Sequence, residues 1–460
     1  MPALIAAWQA LLGEFLLVTA VGIAISSLDD LFIDFVYFTR ILWRRITVYS
    51  RHPRARVESL RQADPAAIAI IVPAWDEAIV IGAMLRNLTT RLDYPRYRVF
   101  VGIYPNDPAG KLAVARVGDH HVQTVMCSMP GPTTKADCLN HLWAAVVLHE
   151  AFTGIRFKAV VLHDAEDVIH PQELWVYDAL IPRLAMVQLP VLPLVDSGSR
   201  WISGHYLDEF AESHAKDLVV REALGAAVPS AGVACAIDRD FLGQIAAGTG
   251  GKPFDADCLT EDYEIGHRIK ALGGRSALVR LRSGDERIVV ATREHFPATF
   301  DAALRQKTRW LTGIALHGWD RIGWPGGFAD RYMLLRDRKA LLTALLTIMG
   351  YAVALLALLD AGLRALLPTP LPPLAGPHLV GLLWLNAAML TWRLLMRSLF
   401  TAHAHGPIEG MRAIPRALAS NIINAAAAWT ASRRYLAMIR GHTPLLWDKT
   451  EHRYPGEAGG

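Results

Sequence analysis

Three stretches of the chain are apolar almost without interruption, and between the first and second, short apolar runs alternate with amphipathic ones. Ala3–Ile25 is broken only by Gln9 and Glu14 and is long enough to cross a bilayer as a helix. No Lys or Arg precedes it, so it predicts an uncleaved anchor rather than a signal peptide. Ala340–Leu363 carries no charge before Asp360, and Leu379–Met396 carries only Arg393 near its end. The short proline-rich linker between these two predicts a helical hairpin. Leu31–Val48 mixes Phe, Tyr and Trp with arginines, the composition of an interfacial helix. Leu418–Thr430 is alanine-rich, holds two asparagines and has Arg412, Arg416, Arg433 and Arg434 on its flanks, which fits a helix on the inner leaflet better than a span.

The intervening region reads as α/β. Ile68–Val72 is a buried strand, followed by a helix over Glu77–Arg91; Arg98–Tyr104 and His121–Cys127 are further strands; Lys135–Glu150 is helical, and a strand leads from Ala159 to Asp164. Strand–helix alternation predicts a mostly parallel sheet, whose ligands bind at the carboxyl ends of the strands. The domain plan is therefore a transmembrane helix plus interfacial helix over 1–61, an α/β domain over 62–325, a transmembrane hairpin over 326–400, and an interfacial or transmembrane helix with a closing segment over 401–460.

Composition agrees with membrane content: 52% of residues are hydrophobic and the mean hydropathy is +0.25. The net charge of +4 is small, and no aromatic–basic recognition pattern points to nucleic acid. The positions of the basic residues say more than their sum. Arg40, Arg44, Arg45, Arg51, Arg54, Arg56 and Arg61 follow the first span, Arg331, Arg336, Arg338 and Lys339 precede the second, and Arg393 and Arg397 end the third. By the positive-inside rule all three groups, and the α/β domain with them, face the cytoplasm. The four cysteines (Cys127, Cys138, Cys235 and Cys258) show no C-x-x-C spacing, so reduced thiols are expected rather than a zinc site.

The chemistry-bearing residues fall just after the predicted strands. The first strand ends in VPAWDEA, presenting Asp76 and Glu77; the second ends in YPNDP, presenting Asp107. Helix capping and turn formation account for these acids as readily as ligand binding does. The strand at Asp164 ends in HDAEDVIHP, which places Asp164, Glu166 and Asp167 within four residues. Carboxylates this close repel unless a cation neutralises them, and a hard divalent ion prefers such oxygens and shares them with a diphosphate. A solvated acidic loop is the alternative. His163 and His170 bracket the cluster and read as hydrogen-bonded supports; His120 and His121 read as surface turn residues. LTEDYEIGHRI puts Glu261 and Asp262 at a helix start, where they either offset the helix dipole or supply a general base. In RQKTRW, Gln306, Arg309 and Trp310 share one helical face. An amide, a cation and an indole together can hold a diphosphate and stack on a sugar, and the same face would also suit a helix resting on a membrane.

The order VPAWDE, YPND, KADCLN, DAED, TED, Q-x-x-R-W, then membrane helices, resembles the processive family 2 glycosyltransferases, the group of cellulose, chitin, hyaluronan and poly-N-acetylglucosamine synthases. YPNDP, KADCLN, HDAEDVIHP and the C-terminal WDKTEHRYP are similar in more detail to glycosyltransferases of the bacteriophage adsorption protein B type. The resemblance covers about Ile68 to Pro455. It implies a GT-A-like fold in the cytoplasm of a multi-pass protein of the bacterial inner membrane, a UDP-sugar donor, Mg2+ or Mn2+, and one inverting displacement. It implies that Asp76, Glu77 and Asp107 frame the nucleotide, that Lys135 sits near its phosphates, and that Asp164 with Glu166 forms the D-x-D-type metal pair. Asp262, beside Glu261, would be the general base. Gln306, Arg309 and Trp310 would hold the diphosphate and acceptor end, Gly232 would line the acceptor path through its small size, and Trp447, Lys449 and Thr450 would form a closing loop.

Two departures stand out. D-x-D has become D-x-E followed by Asp167, so either Glu166 or Asp167 is the second metal carboxylate; D-D-G has become N-D-P, leaving Asp107 alone there. The cyclic-dinucleotide sensing domain that some relatives carry is not expected in this chain. The implied reaction is hexosyl (amino sugar) transfer to a growing polysaccharide or a lipid-linked acceptor, with an export partner in the outer membrane. A single-sugar transferase acting on polyprenyl phosphate shares the metal site but has little need of Q-x-x-R-W. A non-catalytic membrane scaffold in a surface or phage-receptor system is the reading that the altered motifs would suggest.

Overall fold

The computed structural model describes residues 2–284, 288–366, 374–441 and 453–455. Its strands are β1 (Ile68–Pro73), β2 (Tyr97–Ile103), β3 (Val122–Met126), β4 (Ala159–Leu162), β5 (Met186–Gln188), β6 (Val191–Pro193), β7 (Cys235–Asp238), β8 (Ser276–Leu278), β9 (Arg282–Ser283), β10 (Ile288–Val289) and β11 (Thr292–Glu294). Seven of them form one sheet in the order β3-β2-β1-β4-β7-β5-β8. β1 to β4 run parallel, β7 runs antiparallel to both β4 and β5, and β5 and β8 are parallel. The sheet is thus mostly parallel, as the alternation of patterns predicts. β6 and β11 form a separate parallel pair.

β1 is buried along its whole length, because both faces of the sheet are covered. Ile68, Ile70 and Val72 face one core with Met84, Leu85 and Trp175. Ala69 and Ile71 face the other with Leu139, Leu142 and Trp143 of the Lys135–Thr153 helix. The two-residue alternation of a strand divides its apolar side chains between the layers. Gly102 in β2 lets that helix approach closely, since a methyl group there would meet Cys138 Sγ at 2.4 Å. The helix after β1 begins at Ile81 rather than Glu77, and residues 77–80 form a turn that leaves Glu77 at the strand end.

Three helices are long and apolar enough to cross a membrane: Ala7–Thr47 within the helix Pro2–Thr47, Ala340–Leu366 and Pro377–His405. The separate span and interfacial helix expected at the N-terminus are one continuous helix of 46 residues, about 69 Å long at 1.5 Å per residue. Asp29 and Asp30 lie where the pattern predicts a break. Arg336 and Lys339 neutralise both, so the helix passes through that point without one. The last long helix runs over Pro407–Ile439 and packs on the Pro377–His405 helix and on the Phe300–Leu311 helix. Its Arg416 is fully buried, bonded to Asp208 at 2.6 Å and to Glu409 at 2.5 Å.

Candidate active site

The carboxyl ends of β1 and β4 open on a cavity lined by Glu77, Lys135, Asp164, Glu166, Asp262, Glu294, Gln306, Arg309 and Trp310, among others. Residues far apart in the chain meet here for topological reasons. β7 runs antiparallel to β4 and its Cys235 pairs with Leu162. The loop that precedes β7, Ser230–Ala234, therefore lies at the same edge as the loop that follows β4. Gly232 in that loop has a φ of +81°, and a methyl group built on it would sit 2.8 Å from Asp262 Oδ2 and 3.4 Å from Lys135 Nζ. Glycine adopts this backbone at no steric cost, and its missing side chain leaves room for the acid.

Lys135 opens the helix that follows the loop after β3. Its ammonium is 2.6 Å from Asp164 Oδ1 and 4.0 Å from Glu261 Oε1, so one cation joins the acidic cluster after β4 to the start of the Glu261–Ala271 helix. Burial works against its charge, but Asp164, Glu261 and Asp262 outweigh burial and hold its pKa above the ordinary value. Burial pushes the Glu261 carboxyl up to about 7, with the negative charge of Asp262 adding to the effect. Asp262 is raised for the same first reason, with Lys135 pulling the other way. Two acids in the first turn of a helix ordinarily stay ionised; here desolvation opposes that and favours their protonated forms.

Within the acidic cluster the three carboxylates differ in their surroundings. Asp164 is partly exposed to the cavity and paired with Lys135, and Glu166 is buried and lines the same cavity. Asp167 is buried, with Oδ2 2.6 Å from His163 Nδ1 and 3.1 Å from the Asp164 amide, which donates to it. His163 also bonds Glu173 at 2.7 Å. Burial would lower this imidazole, but the flanking Glu173 and Asp167 carboxylates raise it to about 10. His163 is thus the hydrogen-bonded support expected of it. Oδ1 of Asp167 is buried and has no hydrogen-bond partner. That orphaned oxygen lies in the same loop as Asp164 and Glu166, whose side chains line the cavity, and carboxylate oxygens are what a hard divalent cation takes as ligands.

One expected nucleotide contact has other partners in the structure. Asp107 is buried and accepts from the amides of Asp76 at 3.0 Å and Gly110 at 2.8 Å. It caps a helix and fixes the loop after β1, while Asn106 exchanges two bonds of 2.7 Å with Gly131. Asp76 is exposed, with a φ of +54°, and Glu77 faces the cavity. Gln306, Arg309 and Trp310 all line the cavity, and the Gln306 Oε1 is buried without a partner. Lys307 holds the indole from behind: it lies 5.1 Å from the Tyr206 ring and 5.2 Å from Trp310, and it is ion-paired with Glu209. Phe210 and Phe296 complete an aromatic wall around Trp310. Trp447, Lys449 and Thr450 lie outside the described residues.

Sequence reasoning missed Glu294, Phe296, Phe210 and Tyr206. Glu294 ends a strand, as Asp164 follows one, but β11 has three residues, too few to show a period. Beyond Trp310 a second cavity of about 580 Å³ runs between the starts and ends of the membrane helices. It is lined by Ala340, Thr343 and Thr347, by Arg393 and Arg397, and by Asn421 and Asn424. Trp310 lines both spaces.

The chain matches the model of the family described as "Glycosyltransferase like family 2" over residues 65–313, more than half its length. It is 37% identical to bacteriophage adsorption protein B of Escherichia coli (strain K12), and equally to bacteriophage N4 adsorption protein B of Escherichia coli O157:H7. Both alignments cover 99% of this chain and 64% of the relative. The chain thus spans a little under two thirds of the length of these curated relatives. Among solved structures it is similar to a mannosyltransferase from Pyrobaculum calidifontis in complex with GDP-Man and Mn2+, with 16% identity, a TM-score of 0.49 and coverage of 88% of this chain and 99% of that one. Glucosyl-3-phosphoglycerate synthase from Mycobacterium tuberculosis is similar at 15% identity and a TM-score of 0.37, covering 60% of this chain and 87% of that one. The chain belongs to glycosyltransferase family 2 and is a glycosyltransferase.

Proposed function

We propose that this family 2 enzyme is a multi-pass protein of the bacterial inner membrane that transfers a hexosyl group, an amino sugar, from a UDP-sugar to a growing polysaccharide on the cytoplasmic side and passes the product into the membrane. The observation that carries the reading is the position of Trp310. It stands between the acidic cavity and a second cavity that leads among the membrane helices. An acceptor end resting on this indole has its reacting hydroxyl toward Asp262 and its older units toward the bilayer. The basic clusters at the helix ends support a cytoplasmic placement. The names of the relatives, which refer to bacteriophage adsorption, are consistent with a product displayed at the cell surface.

In this reading Asp262 removes the proton from the acceptor hydroxyl as that oxygen attacks the anomeric carbon, and the bond to the nucleoside diphosphate breaks in the same step. Arg309 meets the charge growing on the leaving phosphate, and Gln306 and Trp310 orient the acceptor. Asp164 and Glu166 would hold a Mg2+ or Mn2+ ion, which neutralises diphosphate charge when bound. Lys135 keeps Asp164 and the Glu261–Asp262 pair in register. Gly232 leaves the space in which the acceptor approaches the base.

A second reading, single-sugar transfer to polyprenyl phosphate, draws on the cations Arg336, Lys339, Arg393 and Arg397 that line the second cavity and could meet an anionic lipid headgroup. The non-catalytic scaffold reading has against it the assembled base, cation and acidic cluster. The test is nucleoside diphosphate release from a panel of UDP- and GDP-sugars by the protein in lipid, with Mn2+ or Mg2+ and with chelator, followed by product sizing. Metal-dependent release from one UDP-sugar with long products is the expected result. One sugar on a lipid would establish the second reading, and no release from any donor would overturn both.

A further inference from the structure

We propose that Glu294, on a different element from the acidic loop, is a ligand of the same divalent cation; this rests on the metal site read above from Asp164 and Glu166. The backbone places Glu294 there. Val168 and Arg293 exchange amide–carbonyl bonds of 2.7 and 3.1 Å as an antiparallel bridge. In such a bridge the residue after Arg293 stands opposite the residue before Val168, so Glu294 faces Asp167. Its own carbonyl accepts from Leu194 at 2.8 Å, and β11 is held along its length by β6. The strand that carries this side chain is therefore stitched to the acidic loop itself.

The side chain has no competing engagement. Among the described residues Glu294 makes no side-chain hydrogen bond or ion pair, although it lines the cavity with Asp164 and Glu166. The buried Oδ1 of Asp167 opposite it is likewise without a partner. Asp164, Glu166 and Glu294 thus line one cavity from two elements, while the nearby cations Lys135 and His163 are engaged with Asp164 and with Asp167 and Glu173. Carboxylates that share a partly buried cavity repel one another unless a further positive charge stands among them. A hard cation with oxygen ligands from both sides supplies it. Glu294 would then fix the ion's position relative to the Phe296–Trp310 wall, because it lies two residues before Phe296.

The test uses the full chain in lipid nanodiscs and Mn2+ itself, with bound ion counted by electron paramagnetic resonance in the presence and absence of UDP. The wild type should take up one Mn2+, and Asp164→Asn should weaken it as the reference variant. Glu294→Gln, which keeps shape and loses charge, should raise the Kd by about tenfold or more; Glu294→Asp should fall between. Wild-type affinity in Glu294→Gln, with Asp164→Asn still impaired, would overturn the proposal and leave the metal reading standing. No uptake by the wild type would overturn the metal reading and this proposal together.

Discussion

Gly232 lies against Asp262 so closely that a methyl group would stand 2.8 Å from the acid's Oδ2. The contact is to the Asp262 carboxylate, and at a φ of +81° a side chain also strains the loop, so added bulk acts on the acid and on its surroundings together. Gly232→Ala should lower kcat by about 100-fold or more, since a displacement of about 1 Å at a reacting group has that scale of effect. Nucleotide affinity should change little. Asp262→Asn should abolish transfer while donor binding persists. Equal turnover in either variant would remove Asp262 from the chemistry.

The buried Glu261 and the half-buried Asp262 beside it give activity an acidic limb. With Glu261 pushed up to about 7, turnover should rise as pH increases through neutrality. Glu261→Gln removes one negative charge beside Asp262, so the limb should move to lower pH. Lys135→Met removes the positive charge that pulls both acids down, so its limb should move to higher pH. A pH–rate profile of each variant checks the opposite signs; the two apparent constants belong to the pair.

The same shift has a consequence for stability. The folded pKa of Glu261 lies above its unfolded value near 4.5, so the folded state binds this proton more tightly. Its contribution is most favourable below about 4.5 and diminishes as pH rises toward about 7. Glu261→Gln should therefore melt higher than the wild type at about pH 8, and the difference should shrink at about pH 5. Thermal melts in detergent at the two values measure it.

Among the described residues Arg416 is the largest fully buried side chain, and its guanidinium answers Asp208 and Glu409. Arg416→Met leaves Asp208 with Arg397 alone and Glu409 with Arg412 alone, and losing this buried cation should destabilise the protein by about 3 kcal/mol. Combining it with Asp208→Asn should recover part of the loss. Additive effects in the double variant would show that the two do not act as a pair.

The features legible in the sequence are those that follow a strong period. β1 and β4 are runs of branched apolar residues, so the hydrophobic pattern by itself locates the acids after them. The Glu261 helix start and the face carrying Gln306, Arg309 and Trp310 follow from 3.6-residue spacing. Glu294 is not legible, because its strand has three residues and owes its place to a bridge with Val168. The continuity of the first helix is hidden by Asp29 and Asp30, whose partners lie some 300 residues away. Asp107 reads equally as a turn residue and as a ligand, because the two share one local pattern; its bonds to the Asp76 and Gly110 amides are the turn's.

The order of synthesis gives Asp208 a further meaning. It is made with the catalytic domain, yet its guanidinium partners Arg397 and Arg416 follow 189 and 208 residues later. At roughly 5–20 residues per second, the domain waits about 10–40 s with an uncompensated acid at the place where the membrane helices will dock. The α/β domain therefore completes its fold when the last helices have been laid down beside it, and a nascent chain whose insertion fails is left recognisably unfinished.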